Sequence, residues 1–244
     1  MPTVIEHPEY RLLLALEASG DALSVALMKN GECLAFKQHN ARFGHAEYLV
    51  DMVHNVMEEA GAFFSDLTHI AAGRGPGSFT GLRVCLSAAK GYLLATKASA
   101  LGVNGLAALA LDAISQGYTE QGQLGPLLCF ADTRRNSLFV QEFDPQAKVL
   151  SPVRDVTFKQ ILAYIEEARL RFDGQSLTFI GHVDGLAELV STDKRIFCHQ
   201  RSADAQMIAR YALQSLYSPH LYPCSGFEPL YVVAPKLGSV KRQA

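Results

Sequence analysis

The 244-residue chain has no tryptophan and only five cysteines, Cys33, Cys85, Cys129, Cys198 and Cys224, none in a CxxC pair. That spacing excludes a zinc ribbon or a thioredoxin-type motif. Four of the five lie inside apolar runs and read as reduced core residues of a cytoplasmic protein. Charge of either sign is not in excess. The net −2 gives no global pull toward nucleic acid or an anionic membrane, so RNA contact has to come from a local patch or through a partner. Charges break every apolar segment well short of a membrane span, and no early apolar block follows a basic start, so neither a membrane partner nor a signal peptide is expected. The opening MPTVIEHPEY carries two prolines and no periodicity, as expected of a loose extension.

Histidines are scattered, and the pair nearest in sequence on one helix, His45 and His54, is nine residues apart. Nine helical residues turn about 900°, a net half-turn, so the two rings point to opposite sides and cannot share one ion. No metal site is expected.

What is present is a 49% apolar composition, enough for one large or two small cores, and a legible order of elements. RLLLALEAS is a continuous apolar run, as in a strand buried on both faces. ALSVALMK and ECLAFKQ flank Asn30-Gly31, the dipeptide of type I′ hairpins. A helix is predicted at about 45–60, with Leu49, Met52, Val53 and Val56 at helical spacing. LTHIAAG is a strand, and a helix follows at about 79–96. After a helix near 105–116 the order recurs: PLLCFAD and SLFVQEF as strands, a third at 148–152, a helix starting at Thr157 with a Thr-x-x-Gln capping box, LTFIG with a short helix, RIFCH, and a helix near 204–217. Each half's first strand ends on an acid, Glu17 in one and Asp132 in the other. Two similar α/β lobes with facing acidic strand ends describe a two-lobed actin-like (Hsp70-like) fold with duplicated βββαβα topology. Residues 1–110 are expected to form the first lobe and 111–211 the second, with 212–244 returning to the first.

The most distinctive stretch is GRGPGSFTGLR: Gly73, Gly75, Pro76, Gly77, Ser78, Phe79, Thr80, Gly81 and Arg83 within eleven residues. It follows a strand and opens a helix, where anion-binding loops sit. A P-loop needs Gly-Lys-Ser/Thr, but Leu82 and Arg83 follow Gly81. A dinucleotide loop needs a third glycine where Ser78 stands, and an acid about twenty residues on. The other reading is a tight turn, Pro76 setting φ and Gly77 accepting a positive one. The following helix is polar only at Arg83, Ser87 and Lys90. It is either buried on several sides within its domain or, with the helix from His45, part of an interface.

GRGPGSFTGLRV, with AAKGYLLA and ALGVNGLAALA, resembles the TsaB (YeaZ) family. Supporting pieces are His45-Ala46-Glu47, FADTRRNSLFV and PLYVVAPK. The resemblance implies the actin-like fold and a subunit without catalysis of its own. It implies pairing with a paralogous TsaD-type subunit, or with itself as a homodimer. A TsaE-type ATPase and tRNA are then engaged through the complex that forms threonylcarbamoyladenosine beside the anticodon in tRNAs reading codons that begin with A. It places the contact on the first-lobe helices: His45, Leu49, Met52, Val53, Val56, Leu82, Leu86, Ala89 and Tyr92. Leu86→Asp or Ala89→Arg is then expected to block pairing and leave the lobe folded. The catalytic relatives bind metal through HxxxH, which is missing here. Glu17-Ala18-Ser19 replaces the usual Asp-Thr-Ser, and Asp132-Thr133-Arg134 replaces Asp-Ala-Arg. Glu17, Ser19, Asp132, Gly181 and Gly185 therefore read as a vestigial nucleotide cleft, with weak or absent ATP and magnesium binding. The alternative function is an ATP-dependent phosphotransferase or ATPase of the same fold. The tail lysines and arginine, Lys236, Lys241 and Arg242, read as solvated.

Overall fold

The structure, a computed structural model, describes residues 11–20, 22–40, 45–117, 125–182, 196–218, 220–221, 224 and 226–232. The expectations for the first ten residues, Gly185, the short helix after LTFIG and the tail cations lie outside them.

Among the described residues, ten strands form two five-stranded sheets. Sheet 1 holds β1 (Leu12–Glu17), β2 (Leu23–Lys29), β3 (Glu32–His39), β4 (His69–Gly73) and β5 (Ser99–Val103), in the order β3-β2-β1-β4-β5. Sheet 2 holds β6 (Leu127–Asp132), β7 (Ser137–Phe143), β8 (Arg154–Thr157), β9 (Leu177–Ile180) and β10 (Ile196–His199), in the order β10-β9-β6-β7-β8. Written from its third strand, sheet 2 has the same order as sheet 1. In both, the first strand runs antiparallel to the second and parallel to the fourth. This repetition is the two-lobed actin-like fold.

Local chemistry accounts for much of it. Asn30 and Gly31 turn β2 into β3 with φ of 51° and 91°, both left-handed as a type I′ turn requires. Asn104 caps α3 (Gly105–Ser115) by accepting from the Leu106 N–H, and Asp204 caps α5 (Ala205–Ser215) by accepting from the Met207 N–H. α1 (His45–Glu59) and α2 (Phe79–Ala95) lie where their periodicity puts them.

Three elements differ from expectation. α4 (Ile161–Arg171) starts four residues after Thr157, because β8 runs through Thr157. The Gln160 side chain still accepts from the Thr157 hydroxyl at 2.7 Å, but inside a turn that precedes the helix. The third strand of the second half is Arg154–Thr157; within 148–152 only Val149 makes a bridge, to Phe143. β5 is an added strand: Ser99, Ala100 and Gly102 carry little β propensity, and its pairing with β4 is a tertiary event. Among the described residues the first lobe therefore has five strands rather than four, and the second lobe's fifth, β10, is the expected RIFCH.

The molecule is layered. β1 alternates strictly: Leu12, Leu14 and Leu16 face the core under α1 and α2, and Leu13 and Ala15 face a second core. That second core also holds Leu106, Ala107 and Ala110 of α3, Ile208 and Tyr211 of α5, and Leu127, Cys129, Phe143 and Ile180 of sheet 2. Helices α3 and α5 are thus sandwiched between the sheets. The third core, Phe130, Leu138, Val140 and Phe179 against Ile161 and Ile165 of α4, covers the far face of sheet 2. The expected boundary at residue 211 falls inside α5, which packs along sheet 1. Polar ties cross the same layer: Asn104 Nδ2 donates to Gln141 Oε1 at 2.7 Å, and the Ala205 N–H to Ser24 Oγ at 2.9 Å. Of the cysteines, Cys85 and Cys129 are buried, Cys33 is exposed, and all five are free thiols.

Candidate functional site

The glycine stretch connects β4 to α2 and lies on the end of β1. Gly77 fits because a Cβ there would meet the Ser19 carbonyl oxygen at 2.2 Å, and Gly81 because one would meet the Ala18 carbonyl oxygen at 1.9 Å. The Ser78 N–H donates to that Ser19 carbonyl at 2.8 Å, and Ser78 Oγ caps α2 by accepting from the Gly81 N–H at 3.2 Å. Gly75, at φ 91°, accepts on its carbonyl from the Gly105 N–H at 2.8 Å; its bond to the buried Pro76 is cis. The Arg74 N–H donates to the Val103 carbonyl, and its own carbonyl accepts from Leu230 N–H. Backbone from β1, β5, α3 and the C-terminal segment thus converges on this loop. Phe79 stands at its outer edge, 5.5 Å from the ring of Tyr231 and with the Arg83 guanidinium 4.4 Å over its face. Thr80 is exposed.

The two acids do not face each other. Glu17 is fully buried inside the first lobe. Its Oε1 accepts from the Ser19 N–H, and Oε2 has no partner among the described residues. The carboxyl lies across Gly73, whose missing side chain makes the room: a Cβ there would meet Glu17 Oε2 at 1.6 Å. Burial pushes the Glu17 carboxyl up from its ordinary value, bonds from Ser19 and Ala18 oppose this, and the negative Asp204 adds to it. Asp132 is half-exposed on β6 and accepts from the Arg134 N–H at 2.7 Å. It lines the gap between the lobes with Ser19, Pro76, Ser78 and His182. That gap holds about 50 Å³ among the described residues, against roughly 300–1,000 Å³ for pockets that take a drug-sized ligand. Gly181 is glycine because a Cβ would meet the Phe130 carbonyl at 2.6 Å; it packs on β6. Ser19 and Asp132 therefore share the gap, Glu17 does not, and Gly181 serves strand packing. A nucleotide's magnesium would find one carboxylate here, not two, and no cluster of three or more His, Cys, Asp or Glu side chains comes together among the described residues.

The residues expected to meet a partner need correction. Leu49, Met52, Val53 and Val56 of α1, with Leu86 and Ala89 of α2, are buried in the first lobe's own core, and Leu82 is equally enclosed, packed against Gly75. The apolar stripes of both helices are consumed in covering sheet 1, so these side chains offer no surface to another chain. Tyr92 is half-buried, stacked 5.5 Å from Phe64. His45 is the first residue of α1, and its side chain lies outside the described residues. What the helices turn outward is Tyr48 and Val50 on α1, Arg83, Ser87, Lys90 and Leu94 on α2, and the neighbouring Phe63. Leu94 is 91% exposed and Phe63 73%. Single exposed apolar residues in an otherwise apolar segment carry no periodic signal, so sequence reading missed both.

Comparison with known proteins agrees with the fold. The sequence profile of the family described as TsaD, tRNA N6-adenosine threonylcarbamoyltransferase, matches residues 39–215. The Escherichia coli (strain K12) tRNA threonylcarbamoyladenosine biosynthesis protein TsaB is 30% identical over 131 residues, covering 54% of each chain. A tRNA N6-adenosine threonylcarbamoyltransferase of Granulibacter bethesdensis is 38% identical over 119 residues, 42% of this chain and 32% of that one. The match thus spans about half the length of the TsaB relative. A solved Pseudomonas aeruginosa structure, described as similar to the peptidase YEAZ, shares the fold at TM-score 0.71 and 23% identity, over 91% of this chain and 100% of that one. On the profile match over residues 39–215, the chain belongs to the family described as TsaD, and over about half its length it is similar to TsaB (YeaZ) proteins.

Proposed function

We propose that this chain is a non-catalytic partner subunit in forming threonylcarbamoyladenosine on tRNA. It pairs with a TsaD-type transferase, and a TsaE-type ATPase and the tRNA join through that complex. The observation that carries the reading is the use made of the glycine stretch. Its Ser78 N–H, which an anion loop would aim at phosphate, donates instead to the Ser19 carbonyl. The stretch works as a clamp that fixes where α2 begins. The inward turn of Glu17 and the narrow gap beside Asp132 weigh against the phosphotransferase alternative. The pairing face on this reading is the outer surface of α1 and α2, with Tyr48, Val50, Phe63 and Leu94 as its apolar points and Tyr92 at its edge.

Reconstitution tests it. Transfer of the threonylcarbamoyl group to tRNA is followed with every other component present, with and without this chain, while size-exclusion chromatography follows its mixture with the TsaD-type subunit. A mixed complex and a strong dependence of product on the chain are expected. Unaltered elution together with unaltered product rejects the proposal. Turnover of ATP by the chain alone supports the phosphotransferase.

A further inference from the structure

The outer rim of the glycine stretch faces a second cavity, of about 290 Å³, which the proposed clamp leaves unused. It is lined by Phe79 and Thr80 at the start of α2, by Arg134, Arg135 and Asp155 of the second lobe, and by Tyr231. The two arginines stand on the β6–β7 turn, which is held from within: Asp132 Oδ1 accepts from the Arg134 N–H, and Thr133 Oγ1 from the Arg135 N–H at 3.1 Å. Both side chains reach solvent. Arg83, stacked on Phe79, adds a third cation on the α2 side. Tyr231 is 45% exposed, beside the partly buried Phe79. In a chain of net charge −2 this is a local reversal: Arg83 lies over Phe79, and Arg134 and Arg135 line the same cavity as both rings, with Asp132 and Asp155 as the opposing acids.

Cations beside a partly exposed pair of aromatic rings suit an unpaired polynucleotide, whose bases stack on the rings while its phosphates meet the guanidinium groups. A free phosphate has no use for the rings, whereas a single-stranded nucleic acid uses rings and cations at every nucleotide. We propose that this rim is a direct contact site for a single-stranded loop of RNA, with Tyr231 and Phe79 as the stacking platform and Arg83, Arg134 and Arg135 as phosphate partners. The proposal rests on the reading that the chain works on tRNA. It adds that the chain touches the RNA itself rather than only through its partner. Among the described residues, Asp155 is the lining acid outside the turn's own bonding, and it tempers the affinity.

The test is fluorescence anisotropy with a labelled tRNA transcript that reads a codon beginning with A, over a salt series, for the full chain alone and mixed with the TsaD-type subunit. Arg134→Glu with Arg135→Glu is expected to weaken binding at least tenfold. Its plot of log affinity against log salt should be shallower by roughly 1.4, about 0.7 per lost contact to a single strand. Arg134→Lys with Arg135→Lys should stay close to the parent. Tyr231→Ala should weaken binding about fivefold or more with little change of salt slope, and Tyr231→Phe should not. Asp155→Asn should tighten it about twofold. Size exclusion of the same samples separates the two readings: if pairing is lost but these shifts persist in the chain alone, the partner role fails and the RNA contact stands. If the parent chain binds no RNA, or the glutamate and alanine variants stay within twofold of it in both settings, the RNA contact is wrong even where pairing and modification are intact.

Discussion

Glu17 is the residue whose chemistry is least like its neighbours'. Its carboxyl sits fully buried across Gly73 with one oxygen unpartnered among the described residues, and burial raises its pKa above the ordinary 4.5. The sign follows directly. Between the unfolded and the raised folded pKa the folded state holds a proton that the unfolded chain has released, so stability present in acid declines as pH climbs through that window. Each unit of elevation is worth about 1.4 kcal/mol, roughly 3 °C in a protein of this size. Glu17→Gln should therefore melt higher than the parent at pH 7–8, with the difference closing toward pH 4; parallel melting curves at every pH would show that the carboxyl is not held neutral. Glycines on one helix make a second residue-scale contrast. Gly81→Ala drives a methyl into the Ala18 carbonyl and should cost about 1–3 kcal/mol or more, whereas Gly91, exposed with no described atom within 4 Å of its Cβ position, should gain roughly 0.5–1 kcal/mol as alanine. Equal denaturant midpoints for the two variants would remove the clamp from the account of the glycine stretch.

Among the elements, α2 separates an interior role from an exterior one. Leu86 is 4% exposed and Leu94 91%. Leu86→Asp puts an unpaired charge in the first core and should destabilise the lobe by several kcal/mol, on the order of 4. This replaces the expectation from sequence that the variant would fold and merely fail to pair. Leu94→Asp should change stability by less than about 0.5 kcal/mol, yet reduce association with the TsaD-type subunit. Circular dichroism melts paired with size exclusion distinguish the two; a folded Leu86→Asp variant that still pairs would contradict the burial of that face. The helix was legible because a long apolar segment follows the glycine stretch, but which of its apolar residues face inward was not. An amphipathic helix announces its buried side through its polar side, and a helix polar at only three positions leaves that choice to the neighbours.

In the whole molecule the lobes share a layer. Side chains of both sheets pack on α3 and α5, and Asp112 of α3 is buried between Arg210 at 3.0 Å and Arg201 at 3.4 Å. Ile208→Ala, at a fully buried position of that layer, should cost about 2–5 kcal/mol. By hydrogen exchange it should lower amide protection in β1 and β6 together, because both strands line the same core; loss confined to one sheet would mean the lobes unfold separately. At this scale the division between sequence and structure is clearest. Sequence alone determined the hairpin at Asn30-Gly31, the double-sided burial of β1, the main helices and the recurrence of one topology, since each depends on short-range spacing and turn chemistry. It did not disclose β5, whose small residues are strand only because β4 lies beside them. The inward turn of Glu17 was equally hidden, and for the supposed interface residues the sequence left burial and contact both open. Those were decided by what packs against what: Gly73 leaves a space that a carboxyl fills, and sheet 1 takes up the apolar faces of α1 and α2 before any partner can.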